Sequence, residues 1–235
     1  MTKSLGDRMK GYENAYRHYL PMRMPVMLRI DGKAFHTYTK GLERPWDYEL
    51  EECMNKTAQA LCENIQGAQL AYIQSDEISI LLHNYKKLTS EAWFDNNLQK
   101  MVSVSASIAT AAFNQAASCL LPSKGLAMFD SRAWVLPEAE VCNYMIWRQQ
   151  DATRNSVSML AQSLYSHKEL QNKKFNELQE MCFQKGHNWN DVPTDRKRGR
   201  CVVRCQIEDN WYIDKEIPIF SQEREYIERH LETEE

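Results

Sequence analysis

Apolar runs alternate with helically spaced apolar residues along the first part of the chain. The runs 25–30, 70–73, 78–82 and 127–136 predict strands, and each is bounded by turn-forming residues. Between them, apolar residues on one helical face predict helices over 45–65 and 97–113. The predicted order of strand, helix, strand, strand, helix, strand is that of α+β ferredoxin-like (βαββαβ) and polymerase-palm folds.

The regions on either side have a more polar pattern. Residues 1–21 predict an amphipathic helical arm, and 138–165 and 167–185 predict polar helices. A basic loop is expected over 186–200, then a hairpin of 201–207 and 211–213 that turns at 208–210, and a charged helix from 221 that frays over 232–235. We therefore predict a palm-like domain over 1–137 and a helical and hairpin C-terminal region over 138–235.

Composition narrows the class of protein. The chain has 235 residues, 43% hydrophobic, and a net charge of −3, which argues against polyanion binding through overall charge. Its seven cysteines form no CxxC pair, which predicts reduced thiols in a cytoplasmic protein and disfavours a zinc site. The N-terminus lacks the apolar core of a signal peptide, and no run has membrane-spanning length, so no membrane partner is expected.

Two acidic segments lie at strand ends. Asp31 and Gly32 follow the run 25–30, and Asp76 and Glu77 lie between the two strands of the predicted hairpin. Because magnesium prefers oxygen ligands and commonly takes one or two carboxylates plus phosphate oxygens, the pair predicts a metal platform. The alternative is that Asp-Gly and Ser-Asp-Glu are ordinary turns, and the spacing alone favours that alternative.

The segments carry more than spacing. Arg29-Ile-Asp-Gly-Lys-Ala-Phe-His36 resembles the R-I-D-G-x-x-F-H signature of the tRNA-His guanylyltransferase family, and Ala71-Tyr-Ile-Gln-Ser-Asp-Glu77 resembles its A-Y-x-Q-S-D-E. Four more stretches resemble family motifs in the same order: Leu5-Gly-Asp-Arg-Met-Lys-Gly-Tyr-Glu13, Phe129-Asp-Ser-Arg132, Trp147-Arg-Gln149, and Gly186-His-Asn-Trp-Asn-Asp-Val-Pro193 with Lys197-Arg-Gly199. Together they span nearly the whole chain.

The resemblance implies a palm-fold enzyme that extends the 5′ end of tRNA in the 3′–5′ direction. A 5′-monophosphate is first activated with ATP, and the 3′-hydroxyl of an incoming nucleoside triphosphate then attacks and releases AMP. It implies two Mg²⁺ ions held by Asp31, the Gly32 carbonyl and Asp76, with Glu77 supporting the catalytic site directly or through a ligand.

The resemblance also implies a nucleotide site for ATP or GTP. Its expected residues are Lys33, Ala34, Phe35, His36, Arg44, Asp47, Ser75, Lys100 and Asn155. Arg44 stands where a lysine is usual, and a guanidinium binds phosphate with a different geometry. Asp47 has the equal alternative of a helix N-terminal charge, and Lys100 that of a solvated helix residue.

One segment departs from the eukaryotic family pattern. Where eukaryotic members carry H-I-N-N-L-Y-N, this chain has Thr153-Arg-Asn-Ser-Val-Ser-Met159 and keeps only Asn155. This resembles the guanylyltransferase-like branch of bacteria and archaea, which is associated with template-dependent repair of 5′-truncated tRNAs. The loss of an imidazole and two amides removes groups that position an RNA end or read a base, so we expect base pairing to choose the nucleotide.

Basic residues in the altered segment 153–159 and in or near the shared C-terminal motif predict RNA contacts. They are Arg154, Lys185, His187, Arg196, Lys197, Arg198 and Arg200, and the alternative for each is a solvated surface charge. Arg148 fits either a buried anchor or an RNA contact, and Trp189 fits either packing or base stacking. The resemblance further implies a homotetramer, with catalysis in the predicted domain 1–137 and RNA contact and oligomerisation in the region 138–235. Two other functions stay open, a palm-type nucleotide cyclase, which the lack of a G-G-D-E-F-like stretch disfavours, and a non-catalytic tRNA-binding module.

Overall fold

A single antiparallel sheet carries both acidic segments. A computed structural model describes residues 4–205 and 208–233. Its sheet has six strands in the order β4-β1-β3-β2-β5-β6. The strands are β1 Val26–Gly32, β2 Ala68–Gln74, β3 Glu77–Leu82, β4 Phe129–Val135, β5 Arg200–Cys205 and β6 Asn210–Asp214.

The helices connect the strands and cover the sheet. They are α1 Leu5–Asn14, α2 Phe35–Tyr38, α3 Tyr48–Asn64, α4 Leu98–Leu120, α5 Glu138–Leu164, α6 His167–Leu170, α7 Phe175–Gln184, α8 Thr194–Arg198 and α9 Glu225–Glu228, with 3-10 turns at Trp93–Asn96, Trp189–Asp191 and Arg229–Leu231. None of the described helices has both the length and the hydropathy to cross a membrane.

Alternate residues of the central strands face two different apolar cores. Val26, Leu28 and Ile30 of β1 pack with α3 and α4 on one face. Met27 of β1 and Tyr72 of β2 pack with α5 and the segment 217–231 on the other. Because both faces are covered, β1 to β3 are apolar runs without a regular alternation, which is the pattern the sequence shows.

The predicted α+β class is confirmed, and β4-β1-β3-β2 with α3 and α4 is the expected βαββαβ palm order. The C-terminal hairpin lies in the same sheet, because β5 pairs with β2 along Leu70–Ile73. The two predicted regions thus share one sheet, and the division at residue 137 stays a prediction.

Three element predictions need correction. The arm is helical only over Leu5–Asn14 among its described residues. The helix predicted over 167–185 is broken, because Asn172 has a positive φ of 63° and the Glu177 carboxylate caps a new helix at Lys174 N–H (2.9 Å). The predicted basic loop contains the short helix α8. Pro193 precedes this helix, and Gly199, which has a φ of 83°, ends it. The predicted strand end at 206–207 and the last two residues lie outside the described residues.

Candidate active site

The two acidic segments meet at one end of the sheet. Asp31 of β1 is opposite Glu77 of β3, and the Gly32 N–H donates to the Asp76 carbonyl oxygen at 3.1 Å. Burial raises the pKa of the Asp76 carboxyl above its ordinary value, and the nearby Asp31 carboxylate raises it further. The site therefore concentrates negative charge that a cation would stabilise.

The turn after β1 is set by close packing. A side chain at Gly32 would collide with the Phe35 ring, and Ala34 has a φ of 55°, which starts α2. The Phe35 ring is buried against Phe113 and Phe129, with centroids 5.5 and 5.2 Å away. Gly32 and Phe35 thus fix the end of β1, where Asp31 lies.

The donor chemistry suits a hard divalent ion. The residues at this edge that can bind one are Asp31 and Asp76, with the Gly32 carbonyl. Within residues 4–205 and 208–233, no group of three or more His, Cys, Asp or Glu side chains is arranged to hold a metal. Two carboxylates completed by substrate phosphate oxygens are a usual magnesium arrangement.

The Glu77 carboxylate forms an ion pair with an arginine of α5. Arg148 of α5 donates from Nε and Nη2 to the two Glu77 carboxylate oxygens, both at 2.8 Å. Both side chains are buried, with 7% and 11% of their surface exposed. The Arg29 Nε lies 3.8 Å from the same carboxylate. Arg148 is therefore a buried anchor.

A cavity of about 340 Å³ opens beside the β2–β3 turn, where Gln74 and Ser75 line it, while Asp31 and Asp76 are not among its lining residues. Its walls come from the loop 42–47, the start of α3, the β2–β3 turn, α5 and α8. Five of the residues predicted to bind nucleotide line it, namely His36, Arg44, Asp47, Ser75 and Asn155. A cavity of this size, lined by the Arg44 guanidinium and by the residue that precedes Asp76, is large enough for a nucleotide.

Comparisons with known proteins agree with this geometry. Residues 6–137 match the family model described as tRNAHis guanylyltransferase. The tRNA(His) guanylyltransferase of Schizosaccharomyces pombe is 30% identical over 228 residues, with 90% of this chain and 85% of the relative covered. The chain belongs to the tRNA-His guanylyltransferase family. It is accordingly a tRNA nucleotidyltransferase of the guanylyltransferase type.

Two solved structures are similar over almost their whole length. A bacterial tRNA(His) guanylyltransferase (Thg1)-like protein in complex with ATP is 55% identical, with a TM-score of 0.94 and 97% and 99% of the two chains covered. A bacterial protein of the same description in complex with GTP is 51% identical, with a TM-score of 0.85 and the same coverage. These matches to tRNA guanylyltransferases leave the cyclase alternative without support.

Not all residues that the family resemblance assigned to nucleotide binding reach the cavity. Phe35 belongs to the apolar core, where its ring is 4% exposed. Lys33 and Ala34 are exposed in the turn before α2 and do not line the cavity. The structure thus gives the Phe35 side chain a packing role, and the assignment of Lys33 and Ala34 to nucleotide binding stays a prediction.

Lys100 lies at the far end of the sheet. The Thr110 hydroxyl of α4 accepts from the Phe129 N–H, and Phe129 of β4 is paired with Gly32 of β1. Lys100 precedes Thr110 by ten helical residues, so it lies about 15 Å further along α4, away from Gly32. There it is exposed beside the Phe94 ring, 5.4 Å from its centroid. Within one chain, Lys100 is therefore separated from the cavity, contrary to its assignment to the nucleotide site.

Asp47 lies at the N-terminus of α3, which is the structural alternative to a nucleotide contact. Its two carboxylate oxygens accept from Leu50 N–H (2.9 Å) and Glu43 N–H (3.0 Å), so it caps α3 and closes the loop 43–47. The loop forms one wall of the cavity, so the cap also shapes the candidate nucleotide site.

The basic residues predicted to bind RNA divide into three groups by their burial. Lys185 and His187 are exposed, as is Arg154, which pairs with Asp151 at 3.1 Å. Arg196, Lys197 and Arg198 of α8 are partly buried. Arg200 is 5% exposed and donates to the Asn55 side chain and the Glu51 carbonyl (3.0 Å), so this structure places it inside the protein and not on an RNA surface.

The sequence analysis missed the cavity residue Glu51 and left the partners of Trp189 and Arg148 open. Glu51 of α3 binds the Arg196 guanidinium at 3.0 Å and lines the cavity, but nothing local in the sequence distinguishes it from other helix carboxylates. Trp189 donates from Nε1 to Ser156 at 2.9 Å and packs beside α5, as its packing alternative described. The shared W-R-Q motif did mark Arg148, without indicating Glu77 as its partner.

Proposed function

We propose that this protein adds nucleotides to the 5′ ends of truncated tRNAs in the 3′–5′ direction, with the opposite strand as template. The observation that carries the proposal is the two-carboxylate edge of Asp31 and Asp76 beside a nucleotide-sized cavity that contains Arg44 and Ser75. The similar bacterial proteins in complex with ATP and with GTP support ATP or GTP as its substrates.

The activation step forms one phosphoanhydride bond and breaks another. An oxygen of the tRNA 5′-phosphate attacks the α-phosphorus of ATP, and pyrophosphate leaves. The Arg44 guanidinium binds phosphate oxygens in the cavity, and the loop held by Asp47 positions the nucleotide.

In the addition step, the 3′-hydroxyl of an incoming nucleoside triphosphate attacks the 5′-phosphorus of the tRNA, and AMP leaves. Asp31, Asp76 and the Gly32 carbonyl would hold two Mg²⁺ ions, which would supply neutralisation of the negative charge of the phosphates. The carboxylates and the turn that holds them are this chain's contribution to that step.

The wall that α5 gives the cavity supports selection by pairing. The Thr153 hydroxyl, at the position of the eukaryotic histidine, donates to the Gln149 carbonyl of its own helix (2.9 Å). Met159 lines the cavity where eukaryotic relatives have an asparagine, and the Ser156 hydroxyl already accepts from Trp189. Asn155 is thus the side chain on this segment best placed to read a base.

RNA binding is proposed for Arg154, Lys185, His187 and the α8 cations Arg196, Lys197 and Arg198, without Arg200. We also propose a homotetramer, as the family resemblance implies. A cytoplasmic location is proposed because all seven cysteines are free thiols.

The test is a tRNA that lacks its first 5′ nucleotide, offered with ATP, Mg²⁺ and one labelled nucleoside triphosphate at a time. We expect incorporation only of the nucleotide complementary to the opposite strand, and a switch of nucleotide when the template base is changed. Incorporation of all four, or of G whatever the template, would refute templated repair.

The metal role is tested in the same assay. Asp31→Asn and Asp76→Asn should lower incorporation by on the order of a hundredfold or more, because each removes an ionised ligand with little change of shape. Asp95→Asn, an exposed change at the far end of the sheet, is the control. Activity of the two site variants near that of the control would reject the assignment.

A further inference from the structure

The Glu77–Arg148 pair joins α5 to β3, the strand that follows the β2–β3 turn. Glu77 is the first residue of β3, directly after Asp76. Its carboxylate receives two hydrogen bonds of 2.8 Å from one guanidinium, and the Ser79 hydroxyl and the Gln74 amide lie 3.4 Å from the same Oε1. A two-point bond of this kind fixes orientation as well as distance.

A second bond holds the same helix to the same strand. The Tyr144 hydroxyl of α5 is 2.9 Å from the Ser79 hydroxyl of β3. Residues 144 and 148 are one helical turn apart, about 6 Å, and residues 77 and 79 are about 6.7 Å apart on one strand face. The two spacings match, so the two bonds together hold α5 against the first three residues of β3.

The neighbouring aspartate is held from the other side by the backbone of β1. The Gly32 N–H binds the Asp76 carbonyl at 3.1 Å, and Arg148 binds the side chain of the residue that follows Asp76. The β2–β3 turn is thus fixed between β1 and α5. With both carboxylate oxygens of Glu77 bound to Arg148, Asp76 is the acidic side chain of this turn left for a ligand.

We propose that Arg148 is a positioning residue that acts through Glu77 to set the place of Asp76, and that Glu77 is not itself a metal ligand. The inference deepens the proposed function and rests on it for the identity of the ligand, but the contacts stand independently. Arg148 also offsets one of three carboxylates, those of Asp31, Asp76 and Glu77, that this sheet end brings together.

Geometry, more than stability, accounts for the pair. Buried ion pairs are often replaceable by apolar side chains without loss of stability, because desolvation cancels most of the attraction. A bidentate pair fixes angles that apolar packing leaves free. Arg148 also touches Asp151 at 3.1 Å, which keeps its guanidinium in the plane that meets Glu77.

The first measurement needs no substrate or metal. In metal-free protein, Arg148→Lys and Glu77→Gln should speed amide hydrogen exchange in the β2–β3 turn about fivefold or more, because each removes the two-point bond but keeps its side chain's size. The second measurement is Mn²⁺ binding by electron paramagnetic resonance in the presence of ATP. Both variants should bind Mn²⁺ about tenfold more weakly, while ATP binding without metal stays within about twofold.

A double-variant cycle tests whether the two residues act as one unit. Glu77→Gln combined with Arg148→Met should weaken Mn²⁺ binding no more than the worse single change. The exposed Arg224–Glu228 pair, with a distance of 2.9 Å, provides the matched controls Arg224→Lys and Glu228→Gln, which should alter neither measurement. If Arg148→Met does not fold, the hydrogen-exchange and Mn²⁺-binding measurements on Arg148→Lys still test the positioning role.

Two outcomes would overturn the proposal. One is turn exchange and Mn²⁺ affinity within twofold of the parent in Arg148→Lys. The other is weaker Mn²⁺ binding in Glu77→Gln with no change in Arg148→Lys, which would make Glu77 a direct ligand. Failure of the tRNA assay with the exchange effect present would instead refute the proposed function and leave the positioning role intact.

Discussion

At the scale of single residues, Gly32 shows how a motif serves packing and chemistry together. Its carbonyl is a candidate ligand, its amide binds the Asp76 carbonyl in the β2–β3 turn, and its missing side chain leaves room for the Phe35 ring. The glycine is required by close approach of an aromatic ring and not by an unusual φ. The spacing of glycine and phenylalanine in the signature thus has a steric cause.

Gly32→Ala should destabilise the protein by about 1–3 kcal/mol, because the new methyl group collides with a ring that Phe113 and Phe129 hold in place. Urea unfolding followed by circular dichroism measures the free energy. Gly125→Ala is the control, because a methyl group there meets no atom within 4 Å. Equal stability of the two variants would contradict the steric account.

At the scale of elements, the start of α3 joins helix formation to the candidate nucleotide site. Asp47 uses one oxygen for the helix N-terminus and the other for the loop 43–47. From the sequence, Asp47 had two alternative roles, a charge at the helix N-terminus or a contact to the nucleotide. The structure shows a cap that also holds one wall of the cavity in place.

Asp47→Ala should cost about 1 kcal/mol of stability, which is typical of a lost N-cap, and should also raise the KM for ATP. Asn97→Ala removes the cap of α4, whose side chain accepts from Lys100 N–H at 3.1 Å, far from the cavity. Thermal unfolding and steady-state kinetics of both variants separate the effects. An unchanged KM in Asp47→Ala would show that the loop keeps its position without the cap.

At the scale of the whole molecule, the C-terminal region completes the palm sheet. β5 covers the edge of β2, and α5 with the segment 217–231 covers the face of Met27 and Tyr72. Gln149 of α5 binds the Pro218 carbonyl (2.8 Å) and the Phe220 N–H (2.9 Å), which fixes that segment. The region matched by the family model, 6–137, therefore does not contain the elements that cover one face of its sheet and the β2 edge.

A fragment of residues 1–137 should not fold on its own, because it would expose the β2 edge and an apolar sheet face. Size-exclusion chromatography and cooperative thermal unfolding, compared with the full chain, measure this. A soluble fragment with a sharp unfolding transition would show that residues 1–137 form an independent domain.

The strands, the crossover helices, the α+β palm order and the two carboxylates could be predicted from the sequence, because apolar periodicity and turn residues are local features. Four features became visible only in the folded chain: β5 pairs with β2, Arg148 binds Glu77, Arg200 is buried, and Lys100 lies far from the cavity. Each of these depends on partners distant in sequence: 71 residues separate Glu77 and Arg148, and 145 separate Asn55 and Arg200. Local patterns record which residues are buried or charged, but the partner of a buried charge is set by how the elements pack.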